Sequence, residues 1–509
     1  MGNFNLSAVA FLFTATILSG CTNISPSPTT NKVESNSLLA RHASCEEFYR
    51  THDLLAEKEK VTDTQSTQIK EYPFLSVNRF LVSFRNELPK LEQQNFWLSE
   101  AAKLNRQKRA VEWGNLSLTS KESIKQKHLR SLTFDQRLLS CSHELLLRLE
   151  DQIKPTLITN AEVLDDYSSS LRTIGLYPLT SKIVTRQINK HQKSTRDIFN
   201  KKLKQLPIKG KLQRYVAGTH QTTYDDVVNR ENALNIPFIS STRLNELFNQ
   251  HSPTLEVDET GDYDKIGEVK LDNKNNAYVT QTNPIIYTMP SYTKFEGRIL
   301  IQLNYVFWFP ERPSQTSFDI YSGKFDGIIW RVTLNEDLKP LIYDSVHNCG
   351  CYHKFYSTKG VKFNLQTALK ENEPPFLAQN NLKPLTNEET NNPWILRINS
   401  GSHFIERVYR DGQFDKNAIT YTMRSYHQLR NLNHDKSFSA SSVSKSLYAD
   451  DGIVKSSKRM ERFVLWPMGV PSAGAMRQWG HHAIAFVGKR YFDDVDLLDK
   501  YFTSSINSE

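Results

Sequence analysis

Two different periodicities of apolar residues divide the chain. Between residues 41 and 205 apolar side chains recur every three or four positions, as in the series Phe80, Leu81, Phe84 and Leu88. This spacing puts them on one helical face, so we expect a bundle of five or six α-helices over residues 41–205. From about residue 260 onward apolar side chains alternate with polar ones, which is typical of β-strands.

The longest alternating run, Arg298–Phe309, predicts a strand that ends at Pro310 and Pro313, because proline cannot donate a ladder hydrogen bond. Ile328–Leu334 and Pro340–Ser345 alternate on either side of a turn and predict a hairpin. The other predicted elements are a hairpin of Phe404–Tyr409 with Ala418–Met423 through Asp411-Gly412, strands Trp394–Ile398, Phe463–Trp466 and Ala483–Val487, and a helix over Asp496–Phe502. Together they predict an α+β fold, in which an N-terminal α-helical bundle precedes a mainly antiparallel β-rich domain with long loops over residues 206–509.

The N-terminus carries an apolar run, Leu6–Ile17, that leads into Leu18-Ser19-Gly20-Cys21. The run is shorter than the roughly 20 apolar residues that span a bilayer. The arrangement resembles a bacterial lipoprotein signal, which implies that residues 1–20 are a cleaved signal peptide and that Cys21 carries acyl chains such as palmitate. Thr22 stands where an Asp would imply inner-membrane retention, so the resemblance implies the outer membrane, on its periplasmic side. Residues 21–40, rich in Ser, Thr, Asn and Pro, are predicted to be a disordered tether.

Composition fits a folded, water-soluble body on such an anchor. The 509 residues are 38% hydrophobic, and 64 basic against 55 acidic side chains give a net charge of +9. This balance favours partners such as anionic envelope surfaces or envelope proteins, and an envelope location argues against nucleic acid. The basic side chains are concentrated in segment 186–214, for which two interpretations stay open: a solvated helix face, or a surface that rests on anionic lipid headgroups.

Four cysteines follow the proposed lipidation site. In an oxidising compartment disulfides persist, and Cys45 and Cys141 both lie in the helical region, so we predict that they pair. Cys349 and Cys351 belong instead to the segment His347-Asn-Cys-Gly-Cys-Tyr-His353, in which every second residue is a possible metal ligand.

This His-x-Cys-x-Cys-x-His segment is the strongest candidate for chemistry in the sequence. A straight strand would separate His347 from His353 by about 20 Å, so a shared zinc or other transition metal requires a turn at Gly350. His403 and His482 are candidates to complete such a metal site. An acidic loop could hold Ca²⁺, but it lacks EF-hand spacing and is interpreted as solvated; its acidic residues are Asp258, Glu259, Asp262 and Asp264.

Three further interpretations of the cysteines stay open. Cys349 and Cys351 could form a structural disulfide or pack in the core, or they could be a redox-active pair. Alternatively, one cysteine is a nucleophile, with a neighbouring histidine as base and Asp344 to orient it.

Two stretches of the chain have a distinctive sequence. Asp326–Leu334, running into Tyr343–His353, and Trp466–Gly469, followed by Met476–His482, resemble a family of uncharacterised proteobacterial lipoproteins. The family has no established activity, so the resemblance implies a Gram-negative envelope protein and assigns no catalytic residue. We therefore expect an outer-membrane lipoprotein with a role in envelope assembly or interaction. The alternative is a metal- or thiol-dependent periplasmic enzyme centred on the His-x-Cys-x-Cys-x-His segment, and the sequence leaves both open.

Overall fold

The computed structural model describes residues 29–218, 230–382, 392–411, 415–433 and 443–505. Cys21 and the predicted signal peptide 1–20 lie outside these ranges. Helix α1 (Thr29–Glu59) begins inside segment 21–40, for which the sequence predicts a tether.

Helices dominate the chain up to residue 200. Within the described ranges the α-helices are α1 (Thr29–Glu59), α2 (Arg79–Val82), α3 (Leu91–Asn115), α4 (Leu118–Ile124), α5 (Phe134–Leu147), α6 (Lys154–Thr159), α7 (Ser169–Ile174), α8 (Tyr177–Asn200), α9 (Ser241–Gln250), α10 (Leu365–Ala368), α11 (Arg462–Leu465) and α12 (Leu497–Tyr501). Among these described helices, none is long and apolar enough to cross a membrane.

The β-strands are more widely spread along the chain. The described strands are β1 (Thr67–Gln68), β2 (Ser76–Val77), β3 (Lys211–Ala217), β4 (Thr254–Glu259), β5 (Glu268–Leu271), β6 (Ala277–Thr280), β7 (Ile285–Phe295), β8 (Arg298–Arg312), β9 (Gly323–Leu334), β10 (Pro340–His347), β11 (Lys354–Thr358), β12 (Val361–Phe363), β13 (Leu377–Leu382), β14 (Ile395–Ile398), β15 (Ile405–Tyr409), β16 (Ile419–Ser425) and β17 (Phe502–Ser504). The fold is therefore a mixture of α and β structure.

One sheet organises most of these strands. Its eleven strands lie in the order β13-β11-β10-β9-β8-β7-β16-β3-β4-β14-β15. The pairs β11–β13, β16–β7, β16–β3 and β4–β14 are parallel, and the other six pairs are antiparallel, so the sheet is mixed. Its central strands β8 and β9 are buried on both faces, which explains why both strands are so apolar.

The predicted pairing of Cys45 with Cys141 is confirmed. The disulfide joins α1 to α5, with 5.3 Å between the two Cα atoms. Helix α5 begins with a capping box, in which the Thr133 hydroxyl accepts from the Gln136 amide and the Gln136 side chain accepts from the Thr133 amide. The N-terminal helices are thus tied together by a covalent bond.

A buried ion pair connects the helical region to the C-terminal loops. Arg430 donates two hydrogen bonds, of 2.9 and 2.6 Å, to the two carboxylate oxygens of Asp63, which follows α1. Gln478 adds a third hydrogen bond of 2.7 Å to Asp63. Burial opposes the charge of this carboxylate, but Arg430 outweighs it and lowers the pKa of Asp63.

Several predicted elements have a different structure. The hairpin of Ile328–Leu334 with Pro340–Ser345 is confirmed as β9 and β10, and the C-terminal helix is confirmed as α12. The second predicted hairpin is wrong, because β15 pairs with β14 whereas β16 pairs with β3 and β7. Phe463–Trp466 is not a strand, because residues 462–465 form α11, and Ala483–Val487 makes only an isolated bridge at Ala483.

Candidate functional site

The His-x-Cys-x-Cys-x-His segment is a tight turn between β10 and β11. The His347 amide donates to the Cys351 carbonyl at 3.0 Å, and the Gly350 amide donates to the His347 carbonyl at 2.7 Å. Gly350 has a φ of +89°, and a Cβ at this position would collide with the carbonyl oxygen of Ala483. The chain therefore turns at Gly350, as the sequence requires for a compact site, but the turn directs the histidines to different neighbours.

His347 faces a buried carboxylate and two aromatic rings. Its Nδ1 lies 3.6 Å from Oδ1 of Asp326 on β9, and its ring packs against the rings of Tyr352 and Phe404 at centroid distances of 5.1 and 5.3 Å. Burial lowers the pKa of His347 to about 4, although Asp326 favours the charged form. His347 is therefore neutral at physiological pH.

His403 is held between two carboxylates. Its Nδ1 lies 2.8 Å from Oδ2 of Asp326, and its Nε2 lies 3.3 Å from Oδ1 of Asp264. The ring stacks on Phe309 at a centroid distance of 3.9 Å. Burial opposes the charged form, but the contacts with Asp264 and Asp326 outweigh it and raise the pKa of His403. His403 is thus the centre of an acid–base–acid clamp.

The acidic loop is solvated only in part, because Asp262 is exposed whereas Asp264 is buried, and for Asp264 the interpretation from sequence is wrong. The residue is fully buried and accepts hydrogen bonds from the Thr260 amide, the Ser400 hydroxyl and the Gly401 amide, at 2.7–2.9 Å. Burial opposes its charge, but His403 and these donors lower the pKa of Asp264 to about 2. The loop folds inward because these donors replace water around the carboxylate.

Asp326 has a third basic partner, Arg459. The Nη2 of Arg459 lies 3.3 Å from its Oδ1 and also donates to the Phe325 carbonyl at 2.9 Å. Burial opposes the charge of Asp326, but Arg459, His347 and His403 together hold its pKa well below the usual value. Asp326 is therefore a carboxylate enclosed by bases from three separate segments of the chain.

His353 belongs to a second polar cluster. Its Nε2 lies 3.0 Å from Oδ2 of Asp344, which is also bound through both oxygens by Arg331. The Arg331 guanidinium lies 3.7 Å from the ring centroid of Phe492. Burial lowers the pKa of His353 to about 4. Asp344 does contact a histidine, as the nucleophile hypothesis requires, but Arg331 balances its charge and the histidine contact is with His353 alone.

Cys349 and Cys351 are both thiols. The Cys351 amide donates to Sγ of Cys349 at 3.4 Å. A hydrogen bond with Cys349, together with burial, raises the pKa of the Cys351 thiol well above its usual value. A nucleophilic cysteine is activated by a lowered thiol pKa, so the environment of Cys351 does not activate it as a nucleophile.

His481 and His482 point to different surroundings. His481 contacts Asp166 through Nδ1 at 2.8 Å, and its Nε2 lies 2.9 Å from the Thr64 carbonyl. His482 packs among aromatic rings, and burial with the charge of Arg477 lowers its pKa to about 3.

The six candidate metal ligands are therefore not brought together. His347 and His403 share one carboxylate, and His353 contacts a separate one. His482 lies among aromatic rings and bonds the Asn348 backbone, and the two thiols contact each other. Within the described ranges, no three His, Cys, Asp or Glu side chains are arranged to hold a metal ion.

Two ionisable residues escaped the sequence analysis. Lys354 is 4% exposed, donates to the Tyr352 carbonyl at 3.2 Å, and has its pKa lowered to about 7 by burial. Burial also raises the pKa of Glu461 to about 7, although Arg459 favours its charged form. Lys354 directly follows the His-x-Cys-x-Cys-x-His segment, so its place in the sequence could have identified it as a candidate. Glu461 lies in no recognisable motif, so the sequence gives no such indication.

A cavity of about 330 Å³ lies on another side of the molecule, where α2 and α3 meet β7 and β8. Its wall includes the rings of Phe80, Phe96 and Trp479 and the charged side chains of Lys103 and Arg430. Mixed aromatic and polar walls are typical of small-molecule sites, and this volume is at the lower end of their range.

Comparison of the chain with known proteins finds no matching family model, no similar curated protein and no similar solved structure.

Proposed function

We propose that this protein is an outer-membrane lipoprotein that faces the periplasm and acts in envelope assembly or interaction, by binding rather than by catalysis. One observation carries the second half of the proposal: the two central carboxylates of the candidate site, Asp326 and Asp344, are occupied by basic side chains inside the fold. Asp326 has three basic partners, and Asp344 has two.

A catalytic site needs reactive groups that can reach a substrate. A general base must lie within hydrogen-bond reach of the proton it removes. Here His403 is fully buried between Asp326 and Asp264, and His353 is buried against Asp344. The same contacts give these polar side chains a structural role, because they hold the turn and the loops against the sheet.

The proposed placement is supported by the sequence Leu18-Ser19-Gly20-Cys21. It is also supported by the bond between Cys45 and Cys141, because disulfides persist in oxidising compartments. We further propose that the chain is organised as a helical domain over 41–205 and a β-rich domain over 206–509. The cavity between α3 and β7 gives a binding role a concave location.

Metal analysis and thiol counting on the purified full chain test the choice between binding and metal-dependent catalysis. We expect no stoichiometric transition metal and two titratable thiols in denaturant, from Cys349 and Cys351. The variants Cys349→Ser and His347→Gln should leave the metal content unchanged, as should the control His143→Gln on the exposed face of α5. One zinc, copper or iron per chain that is lost in Cys349→Ser but not in His143→Gln would contradict the proposal.

A second candidate function, thiol–disulfide exchange, rests on the contact between the Cys349 and Cys351 side chains. The Cys351 amide donates to Sγ of Cys349 and the two thiols contact each other, which is the proximity that a disulfide requires. In that reaction both thiols would lose a proton and an electron, and the disulfide of a partner protein would be reduced to two thiols. Thiol counting on protein isolated without reductant distinguishes the binding role from the redox role. Two reactive thiols support the binding role, and the absence of reactive thiols supports the redox role.

A further inference from the structure

An exposed apolar patch lies where α7 and α8 pack against the turn Trp466–Met468, which follows α11. We define the apolar patch as six large side chains with exposed fractions of 59–72%, namely Ile174, Leu176, Leu179, Ile183, Phe463 and Val464. Single exposed apolar side chains are normal on a soluble protein, but a cluster on adjoining elements marks an interaction surface.

The two parts of the apolar patch are held together by packing and hydrogen bonds. A Cβ on Gly175, between α7 and α8, would lie 2.6 Å from Cα of Pro467, which follows α11. Ser168 donates from its amide to the Gly469 carbonyl at 2.7 Å, and Arg172 donates from Nε to the Met468 carbonyl at 2.8 Å. The helices and the turn after α11 therefore present one rigid surface.

Helix α8 continues this surface with positive charge. Leu179 and Ile183 are followed at helical spacing by Arg186, Lys190 and Lys193, which are exposed, so all five lie along one outer stripe. The opposite stripe of α8 carries Ser181 and Phe199, which are buried against the body. In the part of the chain that the structure describes, Arg186, Lys190 and Lys193 form no ion pair, and the stripe carries one exposed carboxylate, Asp197, four residues after Lys193.

We propose that the apolar patch and the basic stripe of α8 together rest on the surface of an anionic lipid bilayer. The inference deepens the proposed function, on which it rests, because it gives the anchored body a defined orientation at the membrane. Helices that lie in a membrane interface combine apolar side chains, which enter the boundary of the acyl region, with Lys and Arg, which meet the headgroups. Unpaired basic side chains beside exposed apolar ones provide both contributions here, and Trp466, 36% exposed at the edge of the patch, is a residue type favoured at that interface.

Vesicle co-sedimentation of the mature chain tests the inference. All proteins begin at Thr22, so that neither an acyl chain nor the apolar run Leu6–Ile17 contributes, and they differ only in the folded body. The vesicles contain either phosphatidylglycerol with phosphatidylethanolamine, or phosphatidylcholine alone. Ile183→Glu with Phe463→Glu should weaken partition into the anionic vesicles about tenfold. Lys190→Glu with Lys193→Glu should weaken partition by a similar factor for the anionic vesicles only, and added salt should weaken wild-type partition.

The matched control is Leu147→Glu, which changes a leucine that is 75% exposed at the end of α5, outside the patch. It should partition like the parent that begins at Thr22, and every variant should keep the parental unfolding temperature. Equal partition of parent and patch variants would overturn the inference, as would equal binding to both vesicle types. A shift from dimer to monomer in the patch variants would also overturn it, by assigning the patch to a second copy of the chain. Acylation of Cys21 in the wild-type protein is measured separately, so its failure would be distinguished from failure of the patch.

Discussion

Asp326 and His403 form a buried ion pair, with 2.8 Å between the carboxylate Oδ2 and the imidazole Nδ1. The two residues are 77 positions apart in sequence. Since Asp264 contacts the other nitrogen of the same ring, His403 joins the loop after β4 to the beginning of β9. The clamp therefore fixes three distant segments around the turn that holds both thiols.

Replacement of His403 by glutamine should destabilise the protein in a pH-dependent way. The pKa of His403 is raised in the folded state, so its stabilising effect is complete below the unfolded-state value of about 6.5 and is lost as pH rises through the folded-state value. We expect His403→Gln to lower the free energy of unfolding by about 3–5 kcal/mol at pH 6. Urea unfolding at pH 6 and pH 9 measures the difference, which should be smaller at pH 9. A difference that is equal at both pH values would contradict this assignment, and His143→Gln is the control.

Replacement of Lys354 by methionine should stabilise the protein at neutral pH. Burial lowers the pKa of Lys354 to about 7, so the unfolded chain binds more protons than the folded chain between pH 7 and the ordinary lysine value of about 10.4. The contribution of Lys354 to wild-type stability should therefore rise with pH across that window. We expect Lys354→Met to add about 1–4 kcal/mol at pH 7 and to remove much of this slope. The exposed Lys359→Met on the same hairpin should do neither, and a loss of stability in Lys354→Met would refute the assignment.

The turn at Gly350 should depend on the lack of a side chain there. Gly350 and Gly297 both have positive φ, but a Cβ on Gly297 would meet no atom within 4 Å. Gly297→Ala therefore reports the backbone penalty alone, about 1–2 kcal/mol. Gly350→Ala adds the collision with the Ala483 carbonyl, and should cost about 1–3 kcal/mol more in thermal or urea unfolding. Equal losses for the two variants would show that the close approach to Ala483 is unimportant.

Removal of the disulfide should lower stability without affecting the sheet. Cys45 and Cys141 are 96 positions apart, and closing a loop of that length contributes roughly 4–5 kcal/mol in the chain-entropy description. The double variant Cys45→Ala with Cys141→Ala should lose about that amount in urea unfolding. Reductant should reproduce the loss in wild type and have little further effect on the double variant. A similar loss on reduction of the double variant would mean that another bond is responsible.

Local sequence patterns predicted elements but not their distant partners. The β9–β10 hairpin follows from residues close in sequence and is confirmed, and the turn that a compact site would require is present at Gly350. By contrast, β16 looks like the return strand of a hairpin with β15, yet it pairs in parallel with β7, more than 100 positions earlier. Residues 462–465 carry an apolar run that is compatible with a strand or a helix, and packing in the folded protein favours the helix.

The candidate site shows the same limit. The histidine–cysteine segment is visible as a motif, but Asp326, Asp264 and Arg459, which determine the charge of His403 and its neighbours, come from separate loops and strands. Alternation within the motif suggested a shared face for four ligands. The turn instead sends His347 toward Asp326 and His353 toward Asp344.

The account depends most on where the protein is placed in the cell. Mass spectrometry of the mature N-terminal peptide, on full-length protein expressed in a Gram-negative bacterium, tests this placement directly. The account predicts that the chain begins at Cys21, that this residue carries acyl chains, and that the protein is recovered with the outer membrane. A chain recovered from the cytosol with Met1 and the apolar run Leu6–Ile17 intact would contradict it.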